Sequence, residues 1–219
     1  LFAMQQAAVG ESVEDASIES MRVKGGNDRL PRAMAAALGD RVRLSSAVTR
    51  VEHRREGVRV TAGGERFDAA WLVLACPLHP LRDVVFDPPL PASVAATVAG
   101  LRLGPAAKVT LEYRERFWEQ QGLSGFTVTD EPFGIAWSPT DSYSSDHGLL
   151  TAFITGDSAR AAASRPAGSR IAAVRSQFAA VYPGSDRLLT GNEATTAWAE
   201  EPLTGGGYAV HHPGQFLRF

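Results

Sequence analysis

Between residues 41 and 75 apolar and polar side chains mostly follow the rhythm of an extended chain. Arg41-Val42-Arg43-Leu44, Ala47-Val48-Thr49-Arg50-Val51-Glu52 and Gly57-Val58-Arg59-Val60-Thr61 each turn every second side chain to one face, which predicts a meander with one wet side. Gly63-Gly64 offers a hairpin turn into Arg66-Phe67-Asp68. Ala70 to Ala75 is apolar without interruption, the pattern of a strand buried on both faces in mid-sheet, and Cys76 at its end reads as a core residue. Upstream, residues 1–20 read as the tail of a helix followed by a loop, and Met21 to Asp28 as a turn. Leu30 to Leu38 reads as an Ala-rich helix with Pro31 in its first turn and Gly39 at its end.

The pattern changes after Asp87-Pro88-Pro89-Leu90-Pro91, which breaks regular structure ahead of a short helix over Ala92 to Leu101. Lys108 to Tyr113 alternates like a strand, and Phe126-Thr127-Val128, Gly134 to Trp137 and Leu149 to Thr155 add strands to a second, antiparallel sheet. Ser169 to Tyr182 has helical spacing through Ile171, Val174, Phe178 and Val181 and is stopped by Pro183-Gly184. The fold class expected is mixed α/β with two separate sheets.

At 219 residues and 44% hydrophobic content the chain can bury a substantial core. A net charge of −2 and a pI near 6.2 argue against a nucleic-acid partner. No apolar run approaches the roughly 18 residues that suggest a membrane span. Leu1 to Gln6 lacks the plan of a signal peptide, so a cytoplasmic location is expected. A single cysteine cannot form an internal disulfide. His211 and His212, as strand neighbours, would point to opposite faces and make poor joint metal ligands. His147 lies among Ser and Asp residues without the strand–Ser–helix elbow of a hydrolase, so neither metal nor triad chemistry is expected.

Two features carry chemistry. In Trp198-Ala199-Glu200-Glu201-Pro202-Leu203-Thr204-Gly205-Gly206-Gly207-Tyr208, glycines that let a backbone approach a flat ligand are followed at once by an aromatic ring. Lys108 carries an ammonium head in a mostly apolar strand, where it needs a partner, and such groups cluster at functional sites.

The order of Gly25-Gly26 with its helix, the strand Arg41 to Leu44, Val48, Leu72 to Pro77, the proline break, Lys108, Arg116-Phe117-Trp118 and the Trp198 to Tyr208 run resembles flavin-containing amine oxidases, the monoamine, polyamine and L-amino-acid oxidases. The resemblance spans about residues 20–215. It implies part of a two-domain FAD-dependent oxidase: a helical substrate-domain tail at 1–20, a partial FAD-binding segment at 21–97, a substrate domain at 98–197 and a return to the FAD domain at 198–219. By the same resemblance Lys108 lies near flavin N5 and holds a water there, and Tyr208 forms one wall of an aromatic cage that orients the amine. Trp198 lines the flavin side of the pocket, Gly206 and Gly207 bring backbone against the cofactor, and the Val48 backbone meets its adenine end. Gly207 stands where some relatives carry the cysteine linked to flavin, so non-covalent FAD is implied. Glu200 and Glu201 read as solvated or structural charges.

The implied reaction oxidises the carbon–nitrogen bond of a small amine or amino acid to an imine, with oxygen as second substrate and hydrogen peroxide as product. Arg102, Arg114, Arg116 and Arg160 are candidates for holding an amino-acid carboxylate, and nothing in their spacing selects among them. The G-x-G-x-x-G turn of a dinucleotide fold does not occur in these residues, nor do the family's C-terminal FAD segment and second cage aromatic. An incomplete chain is therefore expected, completed by the rest of a longer or split oxidase, with a homodimer as a further possible assembly. The alternatives are an FAD-dependent dehydrogenase or desaturase of the same fold, of porphyrinogen or carotenoid type, and a catalytically silent fragment or binding module.

Overall fold

The computed structural model describes residues 23–140 and 145–217, so the reading of residues 1–20 lies outside the described residues. The chain divides into two compact units, Leu1–Ser45 and Ser46–Phe219. In the first, helix α1 (Arg29–Leu38) follows the turn at Gly25-Gly26, and Gly39, with φ of 54°, ends it as expected. The strand expected at Arg41 to Leu44 does not form. The chain tightens instead into a 3-10 turn, Gly39–Arg41, closed by the Val42 N–H on the Gly39 carbonyl. Four alternating residues satisfy the strand pattern, but a strand also needs a neighbouring strand in register, and residues 41–44 belong to none of the described sheets.

The second unit opens with the meander: β1 (Val48–Arg54), β2 (Gly57–Ala62) and β3 (Glu65–Ala69) pair antiparallel in turn. Gly63 and Gly64, at φ of 57° and 83°, make the two-residue turn that the right-handed strand twist favours. Arg59 clasps Asp68 across β2 and β3 through two hydrogen bonds of 2.7 Å. After the short helix α2 (Leu78–Leu81), β4 (Val85–Asp87) joins parallel to β1, giving the order β3-β2-β1-β4.

Ala70 to Ala75 does not form the buried central strand that its composition predicts. Trp71 and Val73 are 88% and 84% exposed, and Cys76 lies at the surface rather than in a core. An apolar run becomes a central strand only between two strand neighbours. Here β3 ends at Ala69, and no described strand flanks residues 70–75.

Helix α3 (Ala92–Gly100) and the short β5 (Arg102–Gly104) lead into the larger sheet. It consists of β6 (Ala106–Tyr113), β7 (Thr127–Val128), β8 (Ile135–Trp137), β9 (Gly148–Thr155) and β10 (Leu189–Ala197), in the antiparallel order β10-β6-β9-β8-β7. The short helix α4 (Phe117–Gln120) places Phe117 and Trp118 in edge-to-face contact with Tyr113, at 5.1 and 6.3 Å between ring centroids. Helices α5 (Gly156–Ala163) and α6 (Ala167–Val181) cover one face of this sheet. Val109, Leu111, Leu150 and Ala152 meet Val174 and Phe178 there, all but fully buried. The helix expected at Ser169 to Tyr182 is α6. Neither α5 nor β10 is evident in the sequence, because α5 is made of small and polar residues and β10 is an edge strand rich in Thr, Gly and Asn.

Candidate active site

Strand β6 alternates from Ala107 onward. Ala107, Val109, Leu111 and Tyr113 go to the helix-covered core, which leaves Lys108, Thr110 and Glu112 on the opposite face. Register then decides their company. Lys108 lies opposite Phe153 of β9, and Phe153 lies opposite Ile135 of β8, two residues before Trp137. The Lys108 Nζ consequently stands 5.2 Å from the Trp137 ring centroid and 5.6 Å from that of Phe153. At these distances the ring faces attract an ammonium. Thr110 and Thr151 share a hydrogen bond of 2.9 Å across the same pair of strands, and the Thr195 hydroxyl donates to the Lys108 carbonyl at 2.9 Å.

Tyr208 reaches this face by another route. It begins β11 (Tyr208–Val210), which pairs antiparallel with β5, just upstream of β6. Its ring meets Phe153 edge-to-face at 6.2 Å and 86°, while Trp137 meets Phe153 at 6.0 Å. Lys108, Trp137, Phe153 and Tyr208 thus form a continuous row on the side of the sheet away from α5 and α6. Tyr208 remains 64% exposed, leaving an aromatic surface free for a flat molecule.

The glycine run owes its composition to the chain itself. A Cβ on Gly205 would lie 2.6 Å from the His79 ring, one on Gly206 2.5 Å from the Leu103 Cβ, and one on Gly207 2.9 Å from the Ala106 Cβ. Real Cβ atoms do not approach so closely, and the Gly207 N–H uses the proximity to donate to the Gly104 carbonyl at 2.9 Å. The glycines seat the segment against β5 and the start of β6, and so place Tyr208.

Val48 begins β1 opposite Ala62, in the other sheet. Trp198 opens a 3-10 turn directly after β10, two residues beyond Thr196, the register partner of Lys108. Glu200 of that turn accepts a 2.9 Å hydrogen bond from the buried Arg170, which makes it a structural charge, one of the two readings open to it.

Glu112, farther along the Lys108 face, accepts hydrogen bonds of 2.7 Å from the Thr190 hydroxyl and the Asn192 amide and sits 3.5 Å from His147. These donors, Thr190 first, hold its carboxyl below the usual range. Arg116 donates to the Thr140 carbonyl at 2.9 Å and Arg160 pairs with Asp157, so each has an anchor of its own. Among the described residues no cluster of three His, Cys, Asp or Glu side chains is placed to hold a metal, and no helix is long and apolar enough to cross a membrane.

Trp137 and Phe153 are absent from the site that the sequence suggests. Each is one aromatic residue among several in an alternating strand, and only the cross-strand register shows that both meet Lys108.

Comparison with known proteins bears on the family and the fold. The profile described as "Flavin containing amine oxidoreductase" matches residues 6–218. An L-amino acid dehydrogenase of Synechocystis is 24% identical over 213 residues, covering 97% of this chain and 44% of that protein. Cyclohexylamine oxidase from Brevibacterium oxydans superposes with a TM-score of 0.80 at 26% identity, covering 89% of this chain and 44% of that one. A putrescine oxidase solved with putrescine bound gives 0.74 at 30% identity, covering 84% and 41%. The chain therefore spans under half the length of these relatives. With nearly all of its residues inside the matched profile, the chain belongs to the flavin-containing amine oxidoreductase family.

Proposed function

We propose that this chain forms the substrate-binding part and a portion of the FAD-binding part of an oxidase acting on a small amine or amino acid. The observation that carries this reading is the row Lys108, Trp137, Phe153 and Tyr208 on the open face of the five-stranded sheet. The partly exposed rings and the lysine fit a flat, polar-edged isoalloxazine. The pyrophosphate grip has no counterpart in these residues and is assigned to further sequence. FAD, held without the covalent link that a glycine at position 207 cannot make, would supply the two-electron oxidation of the carbon–nitrogen bond. Tyr208 and Phe153 restrict and orient the amine, and Trp137 closes the row and keeps water from that side. Lys108 holds a water at the reacting edge. The imine product hydrolyses in solvent, and oxygen is the second substrate.

In this arrangement Val48 lies toward the adenine end, Trp198, Gly206 and Gly207 lie toward the flavin ring, and the exposed run Trp71 to Leu74 is covered by the remainder of the FAD-binding part. The first test is the Lys108→Met variant of the flavin-loaded oxidase, with the two half-reactions followed separately. A drop of about tenfold or more in flavin reduction or reoxidation is expected, the size typical of losing one positioned polar group. Unchanged rates in both would remove the role of Lys108. Because the Synechocystis relative is named a dehydrogenase, turnover is measured with oxygen and with an artificial electron acceptor. Hydrogen peroxide formed in proportion to amine consumed establishes an oxidase, and turnover with the artificial acceptor alone establishes a dehydrogenase. A purified protein without flavin absorbance that ignores added FAD would point to a silent binding module.

A further inference from the structure

Gly205, Gly206 and Gly207 have no side chains with which to anchor themselves, yet Tyr208 follows them directly at the head of the three-residue β11. Groups from elsewhere in the fold must therefore hold this segment from both sides. One jaw is β5 with the start of β6. The Leu103 Cβ stands 2.5 Å from where a Cβ on Gly206 would go, and the Gly207 N–H donates to the Gly104 carbonyl at 2.9 Å. The other jaw is α2. The three atoms nearest to the place of a Cβ on Gly205 all belong to His79: Cγ at 2.6 Å, Nδ1 at 2.7 Å and Cβ at 3.0 Å. We propose that His79 is a positioning residue of the candidate amine site: its imidazole closes the glycine turn against β5 and so fixes where the Tyr208 ring stands. The inference rests on the reading of Tyr208 as one wall of that site.

Helix α2 has only four residues and needs support to act as a jaw. Arg82, just past its end, supplies it by donating from Nε to the Val98 carbonyl at 2.9 Å and from Nη2 to the Leu101 carbonyl at 2.8 Å. These carbonyls close the C-terminal end of α3, where unpaired acceptors and the helix dipole favour a guanidinium. The next residue, Arg102, begins β5. Arg82 thereby ties the two jaws into one frame, with Leu81 buried beside it. His79 is the part of α2 that reaches the glycines.

Fluorotyrosine placed at position 208, and separately at the buried position 182 as a control, tests this by fluorine NMR on the purified protein. His79→Ala is expected to move or broaden the line at 208 and leave that at 182 in place. His79→Phe, which keeps a ring against Gly205, is expected to restore it. His79→Gln, which has no ring, is expected to act like His79→Ala and serves where that variant does not fold. An unmoved line at 208, or equal movement at both positions, would overturn the inference. In the flavin-loaded oxidase His79→Ala should raise the amine KM several-fold with a smaller change in kcat, and add nothing in a Tyr208→Leu background. Additive effects of the two substitutions would also overturn it. If Tyr208→Leu by itself leaves KM unchanged, the reading of Tyr208 as a wall fails, and the NMR comparison still decides what His79 holds.

Discussion

Lys108 shows how much one position owes to its neighbours in space. An ammonium in an apolar strand needs compensation, and here two ring faces give it, at 5.2 and 5.6 Å. Such contacts contribute roughly 0.5–2 kcal/mol depending on solvent access. Trp137→Ala in the flavin-loaded oxidase is expected to loosen Lys108 and one side of the candidate amine site together, raising KM several-fold, whereas replacing the exposed Leu123 by Ala leaves KM unchanged. Steady-state kinetics on the two variants separates them. Gly205, with φ of 69° and the His79 ring where a Cβ would go, has no room for a side chain. Gly205→Ala should destabilise the protein by about 1–3 kcal/mol, read from a urea midpoint, through backbone strain and collision together. The pairing of glycine with an aromatic ring is visible in the sequence; that the glycines seat Tyr208 against the chain's own β5 is not.

Among the elements, β6 does the most, since its alternation feeds the core on one side and the candidate site on the other. The core side rests on Phe178 of α6, which is wholly buried beside Phe133 at 5.0 Å between rings. Phe178→Ala should cost about 3–5 kcal/mol through lost burial and the cavity left behind, measurable by denaturant unfolding. The site side joins β6 to β10 through Glu112. Its folded carboxyl ionises more readily than the unfolded one, because Thr190 and Asn192 donate to the ionised form. That stabilisation is complete above the unfolded glutamate range and is lost as pH falls through the lower folded value. Unfolding midpoints against pH should therefore separate wild type from Glu112→Gln most near neutrality and converge in acid; parallel curves would refute the sign. Helix α6 and strand β6 are readable from their periodicity. Helix α5 and strand β10 are not, because small residues and an edge position carry little hydrophobic contrast.

At the scale of the molecule, the most telling feature is the apolar run at residues 70–76 lying exposed. Its composition calls for a covered strand, and the described residues offer no cover. Together with a chain that spans 44% of a matched relative, this supports completion of the FAD-binding part by further sequence. Val73→Asp should then reduce flavin retention in the longer oxidase, measured as the ratio of flavin to protein absorbance, yet leave the melting of the 219-residue chain unaltered. The sequence by itself determined the alternating strands other than Arg41 to Leu44, the turns at Gly39 and Gly63-Gly64, the places of Lys108 and Tyr208 in the chain and the family likeness, because these rest on local sterics, periodicity and residue order. Tertiary structure decided that Phe153 bridges Lys108 and Tyr208 with Trp137 beside it, that the buried Arg170 pairs with Glu200, and that residues 70–76 form no strand. Those outcomes depend on which strands become neighbours and in what register, and segments distant along the chain settle that jointly.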